Sequence, residues 1–352
     1  MNNVLMVSYY FPPFADVNVV RVKKHCKYLP EYDWQPWVIS VDARYYKDKV
    51  VDDLDDIRDT KIFRVPYYSL PGMIFLVKLF FPIIVAAFTL RNKSTINAVY
   101  MTGSPFHPFL LTSLFTGLFN IPTILDFRDS WSFNHGYDGR KAERLRDQVR
   151  EFLFKPLEKL SIKFASKVIF STFILQKEYS NEYPKYKNKF TTITNGFDPD
   201  DFLSIKPKRI VENKSLILTG KFKMYTPEVV AGLFEALKRL NQFKFIYVGS
   251  EHKDIVDLAK TYRVEDCVVS LPYQRYSESL DLIAGADYAM MTTGMVNGTG
   301  TKIFDYLALR KPTICFVPKG SIIKLQFDDI DQVVIQESPH TQTSILQGLE
   351  KL

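Results

Sequence analysis

The chain has 352 residues, more than one ordinary hydrophobic core accommodates, so two domains are expected. Its 46% hydrophobic and 24% charged residues, without any low-complexity tract, exclude a disordered or fibrous protein. The balance of 46 Lys and Arg against 39 Asp and Glu leaves +7, which favours anionic partners (phosphates, a membrane surface, nucleic acid) without choosing among them. Cys26, Cys267 and Cys315 lie far apart and no CxxC occurs, which argues against a disulfide framework and a cysteine zinc site and favours a reducing cytoplasmic compartment.

The opening MNNVLMVSYYF lacks the basic start and small-residue cleavage site of a signal peptide and reads as a first buried strand. Strand-like apolar runs follow at 4–10, 36–41, 61–66, 98–103, 123–127, 167–172 and 190–196, with helical patterns between them. After the turn-rich, charged stretch 196–215 the rhythm restarts at 215–220, 243–249, 267–272, 288–293 and 313–318. Continuous apolar strands alternating with helices indicate parallel sheets covered on both faces. Two such series give an α/β chain of two Rossmann-like, doubly wound domains, 1–205 and 206–352, expected to face one another across a cleft. A last helix near 340–352 is expected to dock by the first domain.

The most apolar stretch, PGMIFLVKLFFPIIVAAFTL (71–90), carries Lys78 and Pro82 and barely reaches the length needed to span a bilayer. A helix packed on the first sheet, a monotopic membrane patch and a transmembrane helix are all compatible with it. The basic segments 91–93 and 139–150 suit the monotopic reading, although a solvated helix face explains 139–150 equally well.

In doubly wound sheets, ligands bind beyond the carboxyl ends of the strands. There, G-x-G-x-x-G and G-x-x-x-x-G-K-[ST] are both missing, which disfavours a nicotinamide dehydrogenase and a P-loop enzyme. The five histidines have no metal spacing, and Asp198 and Asp200 sit in a proline-containing turn where capping is the simpler role. NGTGTKIFDYLALRKPTICF (297–316) is more informative. Gly and Thr ahead of a helix let an anion approach main-chain N–H groups, Lys302 adds charge, and Asp305 follows one turn later; a loop with a solvated charge pair is the plainer alternative. In DFRDSW (126–131) two carboxylates flank Arg128 at a strand end, either as a structural ion pair or as a phosphate- or sugar-binding edge.

Several stretches together, VSYYFPP with Arg21 downstream, PTILDFRDSW, PLEKLSIKFASKVIFST, TNGFDPDDF, LILTGKF, LDLIAGADYAMM and GTGTKIFDYLALRKPTI, make the chain resemble the retaining GT-B glycosyltransferases of family 4, especially bacterial enzymes of surface-polysaccharide synthesis. The resemblance runs through nearly the whole sequence. It implies a hexosyltransferase-type, metal-independent enzyme with no cofactor. The enzyme would move a sugar from a nucleotide-diphosphate sugar to a glycan or lipid-diphosphate-linked acceptor, in the cytoplasm or at the inner face of the membrane, and would not act on nucleic acid.

By that resemblance the donor site lies in the second domain. The family's two glutamates, eight positions apart, fall on Asn297 and Asp305, so Asp305 would hold the ribose on a shorter arm. Lys302, Thr301, Gly300 and Thr299 would meet the phosphates, helped by Gly220, Lys221 and Lys223, with Tyr273 near the base. A lysine expected near Thr226 is absent, and the loop after FPP lacks the usual glycines. Asn18 and Arg21 are expected at the acceptor, and His107, Arg128 and Asp126 at the reacting groups. His107 has a second reading, as a helix-start histidine bonded to the main chain. A sugar-nucleotide epimerase on the same fold and a non-catalytic binding descendant remain alternatives.

Overall fold

The computed structural model describes residues 1–14, 17–45, 54–70, 72–132, 144–224, 226–240 and 243–352, without the side chains of 17, 18, 55 and 144–150. The chain divides into two compact units, one ending at Thr194 and one running from Asn195 to Leu352. The sequence reading puts the boundary at 205/206, and the segment just beyond it bonds within the second unit. Lys206 N donates to Asp281 Oδ1 at 2.7 Å and Lys208 N to Asp281 O at 2.8 Å.

The first unit contains β1 (Asn2–Val7), α1 (Val17–Tyr28), β2 (Trp34–Val41), β3 (Lys61–Val65), α2 (Met73–Arg91), β4 (Ile96–Thr102), α3 (Pro108–Leu118), β5 (Thr123–Phe127), α4 (Arg144–Phe164), β6 (Lys167–Phe170), α5 (Phe173–Glu182) and β7 (Phe190–Thr192). Its seven parallel strands are ordered β3-β2-β1-β4-β5-β6-β7. Leu5, Val7, Val99 and Met101 face one core, and Val4, Met6, Ala98 and Tyr100 face the other. Both faces are dry, which is why these strands read as unbroken apolar runs.

The second unit contains β8 (Lys214–Thr219), α6 (Pro227–Leu237), β9 (Phe243–Val248), α7 (His252–Tyr262), β10 (Val268–Leu271), α8 (Tyr276–Gly285), β11 (Tyr288–Thr292), α9 (Lys302–Ala308), β12 (Thr313–Val317), α10 (Ile322–Phe327), β13 (Val333–Glu337) and α11 (Gln342–Glu350). Its six parallel strands run β10-β9-β8-β11-β12-β13. Strand order reverses between β1 and β4 in the first sheet and between β8 and β11 in the second. Loops leaving these neighbouring strands diverge and leave room for a ligand.

Two expectations need correction. β13 was missed: it is a half-buried edge strand interrupted by Gln336, so it lacks the continuous apolar run of the central strands. The run 190–196 forms a strand only to Thr192; Ile193 N still donates to Phe170 O at 3.0 Å, while the carbonyls of Ile193 and Thr194 accept from Arg21. Within the second domain, α11 contributes to the core, where Ile345 packs against Gly232 and Leu349 is buried.

The apolar segment 71–90 forms α2, the crossover between β3 and β4. Val77, Phe81, Pro82, Val85, Ala86 and Thr89 are buried, so the helix is a structural part of the first domain. Its other side leaves Ile74, Phe75, Leu76, Leu79, Phe80 and Ile83 exposed. By length and composition alone it could cross a membrane, with a mean hydropathy of 2.4. Crossing would require detaching it from the sheet. α3 packs against both α2 and α4, and α4 exposes Phe152, Leu153, Phe154, Leu157 and Leu160. The basic segment 139–150 lies outside the described residues through 143, and the side chains of 144–150 also lie outside them.

Candidate functional site

In the second domain Gly220 and Lys302 meet at the β8/β11 switch. β8 runs straight into Gly220, whose φ of +87° suits glycine alone. A Cβ there would lie 2.9 Å from Lys302 Nζ and 3.0 Å from Cε, so the lysine that opens α9 rests on this glycine. α9 is fixed in place by Tyr306, whose hydroxyl lies 3.3 Å from both the amide and the hydroxyl of Thr219. Gly300, at φ +63°, turns the loop after β11 into this corner, with Thr299 buried and Thr301 directly before Lys302. Asn297 lies in the same loop. α9 has only seven residues, so few peptide dipoles align behind its first turn and Lys302 supplies most of the positive character.

Among the described residues no carboxylate lies within ion-pair distance of Lys302. Desolvation lowers its pKa to about 8, opposed by the charges of Glu251 and Asp305. Asp305 is partly buried and accepts a 2.7 Å hydrogen bond from Tyr276 Oη. Desolvation raises its pKa to about 7 and Asp201 adds to the rise, while the Tyr276 bond and Lys302 pull it down. Lys221 and Lys223 are exposed on the loop after Gly220, with Lys223 Nζ 3.7 Å from Asp254. Tyr273 is 47% exposed. Where the resemblance leads one to expect a lysine, Thr226 is buried with its hydroxyl turned to Phe222 O.

Two residues that sequence reasoning overlooked shape this corner. Tyr276 holds the acidic residue from the start of α8, and the carboxylate of Glu251 accepts from the main-chain N–H of Phe222, Lys223 and Met224. Neither had a local signal, because their partners lie 27 to 29 residues away.

In the first domain Arg21 Nε donates to Asp126 Oδ2 at 2.8 Å, and Arg21 also reaches the carbonyls of Ile193 and Thr194. Asp126 is fully buried and also accepts from the Tyr100 hydroxyl. Asp126, expected at the reacting groups, and Arg21, expected at the acceptor, are thus bonded to each other. Together they form a buried clamp between α1, β4, β5 and the end of β7. His25 packs edge-on against Tyr100, and burial, with Arg21 nearby, lowers its pKa to about 4.

Arg128 and His107 are placed differently. Arg128 Nε donates to Gly103 O at 2.8 Å, while its buried Nη2 has no hydrogen-bond partner among the described residues. His107 precedes α3 without capping it. Its ring lies edge-on to Tyr9 and Phe81 and bonds the main chain of Lys78, leaving a buried Nε2 without a partner. Desolvation, aided by the Lys78 charge, lowers its pKa to about 4 and keeps the imidazole neutral at physiological pH. Two buried polar atoms thus await partners beside the loop after β4. Asn18 belongs to the first turn of α1, and its side chain lies outside the described residues.

The turn after β5 is anchored from below by Glu158 of α4, which is fully buried. Its carboxylate accepts from Ser132 N, Ser132 Oγ, Tyr179 Oη and Tyr183 Oη at 2.7–2.9 Å, and Tyr179 Oη also accepts from Trp131 N. Asp198 caps the turn that follows it, accepting from Asp200 N at 3.0 Å. No cluster of three or more His, Cys, Asp or Glu suited to a metal occurs among the described residues.

The sequence matches no protein-family model and none of the curated proteins. Its backbone is similar to solved glycosyltransferase structures. HepE from Anabaena, solved with UDP and glucose, aligns at a TM-score of 0.68 and 15% identity over 99% of this chain and 90% of its own. A glycosyltransferase from Rickettsia africae aligns at 0.67 and 15%, over 99% and 87%. WaaG, a glycosyltransferase involved in lipopolysaccharide biosynthesis, aligns at 0.64 and 13%, over 99% and 90%. At such identities the likeness is one of fold: two parallel-sheet α/β domains with the GT-B architecture of glycosyltransferases.

Proposed function

We propose that the chain is a glycosyltransferase that moves a sugar from a nucleotide-diphosphate sugar to a glycan or lipid-linked acceptor in surface-polysaccharide synthesis. The observation that carries this reading is Lys302: a desolvated cation without an ion-pair partner among the described residues, resting on a positive-φ glycine at a sheet switch point, one helical turn from Asp305. A diphosphate would supply the missing negative charge, with Lys221 and Lys223 sharing it and Gly300, Thr299 and Thr301 allowing close approach. Asp305, steadied by Tyr276, would accept from the ribose diol, with Asn297 and Tyr273 toward the sugar and base.

In the reaction the bond from the anomeric carbon to the diphosphate breaks, a bond to the acceptor oxygen forms and the acceptor hydroxyl gives up its proton, so negative charge builds on the leaving group as the bond to it breaks. Lys302 faces that charge directly, and the rate enhancement comes from positioning and electrostatic stabilisation. In the first domain, Arg128 Nη2 and the neutral His107 Nε2 are the groups we assign to acceptor or sugar oxygens. Retention of configuration and independence from metal follow the family resemblance and belong to the same proposal.

A lipid-linked acceptor accounts for the exposed apolar side chains of α2 and α4, with Lys78, Lys155 and Lys159 nearby in sequence. These faces would rest on an anionic leaflet as a peripheral contact.

The test is a panel of nucleotide-sugars, followed by thermal shift and by nucleotide release. A site occupied at 100 times its dissociation constant adds about 2.7 kcal/mol of stability. Release that depends on an acceptor identifies a transferase. Release without an acceptor would indicate an epimerase, and no stabilisation by any nucleotide would leave a non-catalytic protein.

A further inference from the structure

We propose that Glu251 is a positioning residue of the donor site. Its carboxylate fastens the turn after Gly220 by three main-chain bonds and sets the charge that Lys302 presents to a diphosphate. The inference rests on the donor site proposed above and adds a residue which that reading does not contain.

The geometry is specific. Glu251 Oε2 accepts from Phe222 N at 2.7 Å and Lys223 N at 2.9 Å, and Oε1 accepts from Met224 N at 3.0 Å. Three consecutive N–H groups converging on one anion make a nest, a motif that in other settings grips phosphate. Here the nest is filled from within, so the turn is shaped before any ligand arrives. Glu251 is itself held: it stands directly before α7, and its N–H donates to Tyr247 Oη at 3.1 Å. The same Tyr247 hydroxyl and Gly220 O lie 2.5 Å and 2.6 Å from where a Cβ on Gly249 would be, so the turns after β8 and β9 are in close contact. Anchored in this way, the turn carries Lys221 and Lys223 on a fixed backbone instead of a mobile loop, which lowers the cost of ordering them on a ligand.

Glu251 also acts on Lys302. The charged and titratable groups around that lysine are Glu251, from the start of α7, and Asp305, from its own helix. Asp305 in turn faces Tyr276 and, at longer range, Asp201, and Glu251 borders Tyr247. Lys223 Nζ lies 3.7 Å from Asp254. Of the two carboxylates near Lys302, Asp305 is held by Tyr276 and sits in surroundings that disfavour its charge.

The experiment compares wild type with Glu251→Gln, using uridine diphosphate as the probe. In the free protein, the Lys302 side-chain NMR signal, assigned by its loss in Lys302→Met, is titrated between pH 6 and 10. Calorimetry then follows uridine diphosphate affinity over the same range. Removing the charge should move the Lys302 midpoint from about 8 toward 7, and uridine diphosphate affinity at pH 8 should fall about five-fold, the change in charged fraction for a shift of that size. Amide exchange at Phe222, Lys223 and Met224 should accelerate together. Glu251→Asp keeps the charge and should recover most of the titration midpoint. If wild type binds uridine diphosphate and Glu251→Gln matches it in affinity and in the Lys302 midpoint, Glu251 only shapes a turn and the inference is overturned. If wild type binds no nucleotide, the donor site itself fails and this inference with it.

Discussion

Lys302 should cost the empty protein stability. Burial holds its pKa near 8, against 10.5 for an ordinary lysine, and a displacement of that size corresponds to about 3 kcal/mol against the charged form. The unfolded chain binds that proton more tightly than the folded one between pH 8 and 10.5, so the second domain should gain stability as pH rises through that window. Lys302→Met removes the charge while keeping most of the apolar stem. After relaxation around the site, we expect the empty protein at pH 7 to gain about 1–2 kcal/mol, or roughly 3–6 °C in the melting transition of the second domain. The same change should weaken nucleotide-sugar binding about ten-fold or more, the worth of a desolvated lysine–phosphate contact. Differential scanning calorimetry with and without uridine diphosphate reads both effects. A variant that melts lower than wild type when empty, yet keeps its ligand-induced rise, would refute the reasoning on both counts.

Other perturbations separate structure from chemistry. Asp126→Asn strips the charge from a buried clamp and should destabilise the first domain by about 3–5 kcal/mol in urea unfolding; full stability with lost activity would restore Asp126 to a reacting role. His25 and His107 both have pKa values lowered to about 4, so the unfolded chain takes up protons first as pH falls below about 6.5. Stability should be fully present above that pH and drain away toward 4, and His25→Gln should flatten the slope measured by thermal melts. Phe75→Ser/Phe80→Ser should reduce co-sedimentation with anionic vesicles while leaving the melting temperature within a few degrees, since both side chains are exposed; Phe81 lies in the core and is unsuited to the test. Equal sedimentation on anionic and neutral vesicles, unchanged by the substitutions, would mean that α2 rests on no membrane.

The strands were legible because both faces of each central strand are buried, as at Leu5 and Met6 or Leu216 and Ile217, and this leaves a continuous apolar signature. The edge strand β13 lacks that signature and was lost. The corner formed by Gly220, Gly300 and Lys302 was legible because glycine at positive φ and a lysine before a helix are local events in sequence. Glu251, Tyr276 and Glu158 were not, since each acts on main chain or side chains 21 or more residues away and nothing beside them reports it. Asp126 was legible as a carboxylate at a strand end, whereas its bonds to Arg21 and Tyr100 emerge only in the fold, because those partners lie 105 and 26 residues away.

Glu158 gives the turn after β5 a polarity as well as an anchor. Burial raises the pKa of its carboxyl while four donors favour the anion. Ser132 N cannot reverse its role, and Tyr179 Oη already accepts from Trp131 N. A proton gained by Glu158 would make one carboxyl oxygen a donor, so at least one of the three hydroxyls that now donate to it would have to turn and accept. A substitution such as Tyr183→Phe would leave the packing of this turn almost intact while removing one of the four donors that favour the anion.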